Sequence, residues 1–120
     1  MARSASDHLR DVLDAVAAIT AYTRKGRQTF DKDPMLRDAV AARLIQIGQS
    51  VKDAQGEGLD LPRLKPEIPW RNIAGMRDRL VHRYSLLDVA IIWSVVKNDL
   101  PRLRSAVEQL LQPPSKKKPR

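Results

Sequence analysis

The chain has 120 residues, no cysteine and a formal net charge of +8, from 22 basic and 14 acidic side chains. The length favours one domain, and the lack of cysteine excludes disulfides, thiolate catalysis and zinc sites built on Cys. His8 and His82 are the only histidines, so no metal or other cofactor is expected, and five aromatic residues are too few for single-strand binding on a row of stacked rings.

Residues 6–23 place Leu9, Val12, Leu13, Val16, Ile19 and Thr20 at three- and four-residue steps, which predicts an amphipathic helix. Ser6 is its expected N-cap, with Asp7 at the positive end of the helix dipole. His8 in that first turn reads as a surface residue. Arg24-Lys25-Gly26 ends the helix. Residues 27–32 read as a connector whose Phe30 anchors it to the core. Asp33-Pro34 opens a second helix, Asp as cap and Pro in the first turn. Its stripe runs through Leu36, Ala39, Val40, Leu44, Ile47, Val51 and Ala54. Gly48 interrupts it. Glycine costs about 1 kcal/mol against alanine inside a helix, so the position implies close approach of another helix or of a ligand. Gly56 and Gly58 end this element. Residues 57–69 contain Pro62, Pro66 and Pro69, which predicts a loop without regular helix, pinned by Leu59, Leu61 and Leu64.

A third helix begins near Pro69-Trp70, with a weak apolar stripe of Ile73, Met76, Leu80 and Val81. Ser85-Leu86-Leu87-Asp88 fits a capping box that opens a fourth. Leu86, Val89, Ala90, Trp93, Val96, Leu100, Leu103, Val107 and Leu110 carry that helix to about residue 111. Pro101 cannot donate to the carbonyl of Lys97, which predicts a kink or a break. Residues 1–112 read as the domain and 113–120, with Lys116, Lys117, Lys118 and Arg120, as a disordered basic tail. No apolar run approaches the roughly 20 residues of a bilayer span, and the N-terminus lacks the apolar core of a signal peptide. The expectation is an all-α, antiparallel four-helix bundle, cytoplasmic and without a membrane partner.

Residues 71–84 gather the most chemistry: Arg71, Arg77, Arg79 and Arg83 with Asp78, His82 and Tyr84. Arg77 can fork onto a phosphate, and His82 can move a proton near neutral pH. Together they suit metal-independent RNA cleavage, in which a 2′-hydroxyl attacks the adjacent phosphate. On an ideal helix His82 points about 140° away from Arg77. A helix ending near His82 or Arg83, before a cap at Ser85, would put Tyr84 in the bend and redirect His82. One histidine cannot easily serve as both base and acid, and a symmetric dimer would supply a second.

Arg77-x4-His82-x-Tyr84 resembles the defining motif of the HEPN superfamily, in particular its HepT-like branch. The similarity extends through Ile68 to His82, to Arg37-Asp38-Ala39-Val40 followed by Ile47-Gly48, and to Val89–Trp93 and Asp99–Leu103, so that it covers most of residues 6–111. The resemblance implies a dimeric helical bundle whose two motifs face one cleft. It implies a ribonuclease toxin acting on RNA, and an MNT-type nucleotidyltransferase antitoxin that transfers AMP to the motif tyrosine, here Tyr84. Arg77 and His82 would be catalytic, Asp78 would orient one of them, and Arg71, Arg79 and Arg83 would contact RNA phosphates. The chain departs from the family at Arg83, where a small residue is common, and at Gln49, where Glu often follows the glycine. Two other readings compete. One is a non-catalytic helical module that docks a nucleotidyltransferase or binds a nucleotide. The other is a plain helical dimer whose tail binds nucleic acid nonspecifically.

Overall fold

A computed structural model describes residues 3–83 and 89–112. Helix α1 (Ala5–Tyr22) is capped by Ser4, not Ser6. The Ser4 hydroxyl accepts from the Asp7 N–H at 3.1 Å, and the Asp7 carboxylate accepts from the Ser4 N–H at 3.0 Å. This reciprocal box needs an acid three residues after the cap; Ser6 has Leu9 there. Gly26, at φ +96°, turns the chain after α1. The expected connector is itself a short helix, α2 (Arg27–Lys32). Its Phe30 is fully buried and lies 5.1 Å, ring to ring, from Trp93.

Asp33 caps α3 (Pro34–Gly56) as its sequence predicts, accepting from the N–H groups of Met35 and Leu36 at 3.0 and 3.2 Å. Val40, Leu44, Ile47, Val51 and Ala54 of the expected stripe are buried, whereas Leu36 only packs at the core's edge. The proline-containing segment holds one turn of helix, α4 (Leu61–Leu64), where a loop was expected. Asp60 caps it, and Pro62 sits in the first turn, where a missing N–H breaks no helical bond. Leu61 is buried and Leu59 lies against the core, whereas Leu64 is 38 % exposed and lies outside the core cluster. Trp70, 3 % exposed, starts α5 (Trp70–Arg83), and its indole N–H donates to the Lys65 carbonyl at 2.9 Å. That bond fixes the lead-in loop against the helix it introduces.

The last long element runs through Pro101 without a break, and the irregularity predicted there takes the form of a π-helical turn. Helix α6 (Val89–Ser94) passes into a π-helical turn (Val95–Asp99) and on into α7 (Leu100–Leu111). The Leu100 N–H bonds back to the Val95 carbonyl, five residues earlier. The extra residue in this turn puts Pro101 in the first turn of α7, where its ring and missing N–H are tolerated. Ile92, Val96, Leu100, Leu103 and Val107 face the core; Trp93 is only half-buried.

The fold is all-α, and no strand occurs among the described residues. α3 packs against α1 on one side and α5 on the other, and α1 also contacts α7. α3 and α5 run antiparallel: Ala41 lies beside Leu80, Gly48 beside Arg77, and Gln55 shares a groove with Arg71. No helix among the described residues is long and apolar enough to cross a membrane. The expected cap at Ser85, the bend at Tyr84 and the tail at 113–120 lie outside the described residues.

Candidate functional site

The position of α5 is set at one glycine. A Cβ at Gly48 would stand 2.5 Å from the Arg77 Cβ and 3.1 Å from the Ile73 carbonyl oxygen. The glycine therefore serves a helix crossing, with the motif arginine as the residue it accommodates. Held there, Arg77 keeps 31 % of its side chain exposed. Its Nη1 donates to the Asp78 carboxylate at 2.8 Å. Its Nε is buried and has no hydrogen-bond partner among the described residues. A buried donor left unpaired costs about 1–3 kcal/mol, which makes this atom one that calls for a partner.

Asp78 is the acid around which the cations collect. Its pKa lies below the ordinary carboxylate value. The hydrogen bond from Arg77 lowers it most and the charge of Lys52 next, while partial desolvation opposes them; the charges of Arg77 and His82 add smaller effects. His82 is exposed and sits one helical turn beyond Asp78, on the same side of α5. His82 and Arg83 are the last residues of α5, the end that the sequence predicts, and the bend expected at Tyr84 lies outside the described residues. Arg77 and His82 keep their helical divergence, and Asp78 lies between them in angle as well as in sequence.

The other expected residues divide between two grooves. Arg71 lines one with Lys52, Gln55 and Asp78. Arg79 lines another, about 310 Å³ and largely apolar, with Asn72, Met76 and Ile91. Arg79 also lies close over Gly75: a Cβ there would meet its Nη1 at 3.5 Å. The side chain of Arg83, and all of Tyr84, lie outside the described residues. Gln49, where the resemblance leads one to expect a carboxylate, donates its amide to Asp53 at 2.9 Å, and Asp78 is the partner of Arg77. Lys52 was not anticipated. It stands one turn after Gly48 on the same face of α3, so the glycine that marks the crossing also marks the lysine. Among the described residues no cluster of three or more His, Asp or Glu side chains could hold a metal ion. The arrangement can bind a phosphate at Arg77, once Asp78 shares or yields the guanidinium, and can transfer a proton at His82.

The sequence profile described as "Ribonuclease HepT-like" matches residues 12–110. The chain belongs to the HepT-like ribonuclease family. A protein of Thermococcus cleftensis named "Probable ribonuclease HepT" is 40 % identical over 111 residues, covering 92 % of this chain and 98 % of that one. A Caldanaerobacter subterraneus protein whose name proposes an RNase is 36 % identical over 85 residues, 71 % of this chain and 73 % of that one. A Methanocaldococcus jannaschii protein, named as a gamma-glutamylcyclotransferase and a proposed RNase, is 29 % identical over 119 residues; these are 98 % of this chain but 52 % of that protein. No solved structure matches significantly. In this HepT-like chain all the α5 residues with described side chains, Lys52 and Gly48 fall inside the matched span.

Proposed function

We propose that this HepT-like chain is a metal-independent endoribonuclease and the toxin of a toxin–antitoxin pair. The observation that carries the reading is the fixing of Arg77 between Gly48 and Asp78, with His82 one turn further on, in a chain of this family. An RNA 2′-hydroxyl attacks the adjacent phosphorus as His82 takes its proton. Arg77 holds the phosphate oxygens while negative charge builds on them. The bond to the 5′ oxygen breaks, and that oxygen receives a proton from the second histidine of a symmetric dimer. The products are a 2′,3′-cyclic phosphate and a 5′-hydroxyl. Asp78 is a positioning residue that orients Arg77, and Arg71, Arg79 and Arg83 are candidates for holding the strand.

Residues 1–112 make up the ribonuclease domain. The partner is an MNT-type nucleotidyltransferase that neutralises the chain by binding and by transferring AMP to Tyr84. The activity is tested by incubating purified protein with single-stranded RNA and with DNA of the same sequence, in chelator. Cleavage of RNA alone, leaving cyclic phosphate ends, is the expected result; cleavage of both, or loss of cleavage with chelator, contradicts the mechanism. Intact mass after co-expression with the neighbouring nucleotidyltransferase tests the modification. Neutralised toxicity with no AMP-sized gain would replace transfer by occlusion alone.

A further inference from the structure

Beyond their crossing at Gly48, α3 and α5 border a groove of about 480 Å³ that reaches from Asp78 back to the first turn of α5. Lys52 on one wall and Arg71 on the other are exposed, and neither makes an ion pair or hydrogen bond among the described residues. Elsewhere on the molecule Arg3, Arg10, Arg27, Arg63, Arg102 and Arg104 each pair with an acid. The acid at this groove, Asp78, is bonded to Arg77 and also feels the charge of Lys52, so the cations along the groove outnumber its acid.

The floor is low. Ala74 and Gly75 line it, and a backbone can approach closely where no larger side chain stands. Trp70 also lines the groove, but it is buried and its N–H is bonded to Lys65, so it offers no free ring for stacking. The groove thus presents charge without an aromatic platform, which suits a phosphate backbone and reads no base. It ends at Asp78, one turn from His82. Arg71 and His82 are about 16 Å apart along the helix axis, a span measured in nucleotides rather than atoms.

We propose that the groove between Lys52 and Arg71 is a phosphate-binding track that holds the RNA strand to one side of the bond cleaved at Arg77 and His82. The proposal rests on the ribonuclease reading above and adds Lys52 to it. It assigns the two cations to substrate affinity: they hold phosphates that do not react.

The test compares the full chain with its Lys52→Gln/Arg71→Gln variant and with Arg24→Gln/Lys25→Gln, which removes the same charge from the turn after α1. Binding is measured against a 2′-O-methyl RNA oligonucleotide, which has no hydroxyl to attack, across a range of salt. Cleavage is measured on the unmodified oligonucleotide. The groove variant should bind less tightly, and its logarithmic salt dependence should be shallower by about 1.4, or about 0.7 for each lost phosphate contact. Its loss in cleavage should fall on KM rather than kcat. An unchanged slope and KM, or equal losses in both variants, would overturn the track. A chain that cleaves no RNA yet shows the shallower slope keeps the track and sinks the ribonuclease reading. Cleavage by the wild type with no effect in the groove variant does the reverse.

Discussion

α7 and α5 both carry several arginines, and they treat them in opposite ways. On α7, Arg104 reaches Glu108 at 3.3 Å, and Arg102 reaches back to Asp99 at 3.7 Å. Exposed pairs of this kind contribute roughly 0.3–0.5 kcal/mol and leave little net field. The α5 sequence holds four arginines, Arg71, Arg77, Arg79 and Arg83, against one acid, Asp78, and Lys52 adds a further cation from α3. Uncompensated charge of one sign favours a polyanion and speeds its arrival. The difference distinguishes the two helices more clearly than the net charge of +8 does, because four of those charges lie at Lys116, Lys117, Lys118 and Arg120.

The sharpest way to break this contrast is to remove Arg77. Arg77→Ala should lower kcat for RNA cleavage by about 10²–10³-fold, the scale of one lost donor to a developing oxyanion. Gly48→Ala comes next. Its new Cβ would overlap Arg77 and force α5 away from α3. It should lower stability by about 1–3 kcal/mol, read as a fall in denaturant midpoint, and reduce cleavage by displacing Arg77. An alanine tolerated without loss of either would show that the close crossing does not seat the arginine.

Asp78→Asn should act more weakly, lowering cleavage about tenfold by loosening Arg77. Its pH signature is specific. The Asp78 pKa is depressed in the folded chain, so its contribution to stability is present above the ordinary carboxylate value and is lost as pH falls through the depressed one. Wild type and Asp78→Asn should therefore differ in Tm at neutral pH and converge in acid. Arg104→Ala on α7 should change stability by less than about 0.5 kcal/mol and leave cleavage intact. A large loss of cleavage there would erase the distinction between the two helices.

Much of this was legible in the sequence. The stripes of α1 and α3, the cap at Asp33 and the anchor Phe30 follow from spacing and residue type alone, because they are local rules with one strong solution. Gly48 was legible as a crossing, but its partner was not: that Arg77 sits opposite depends on the register of α3 against α5. Lys52 was hidden for the same reason, since a lysine on an exposed helix face carries no signal until the opposing helix is known. The short helices α2 and α4 were missed because a single turn needs little more than a good start, which Gly26 and Asp60 provide. Pro101 announced an irregularity without its form. The chain meets the clash with a π turn, and Val96 and Leu100 are buried in the core there. α5 ends at Arg83, where the sequence places the end of the helix, and the bend expected at Tyr84 lies outside the described residues.

The central claim is that the reaction occurs on α5, and the two histidines allow it to be tested within one molecule. His8 lies in the first turn of α1 and His82 in the last described turn of α5. Cleavage of single-stranded RNA, in chelator, should fall by about 10²–10⁴-fold in His82→Ala and be unchanged in His8→Ala. Equal activity in both variants would contradict the account.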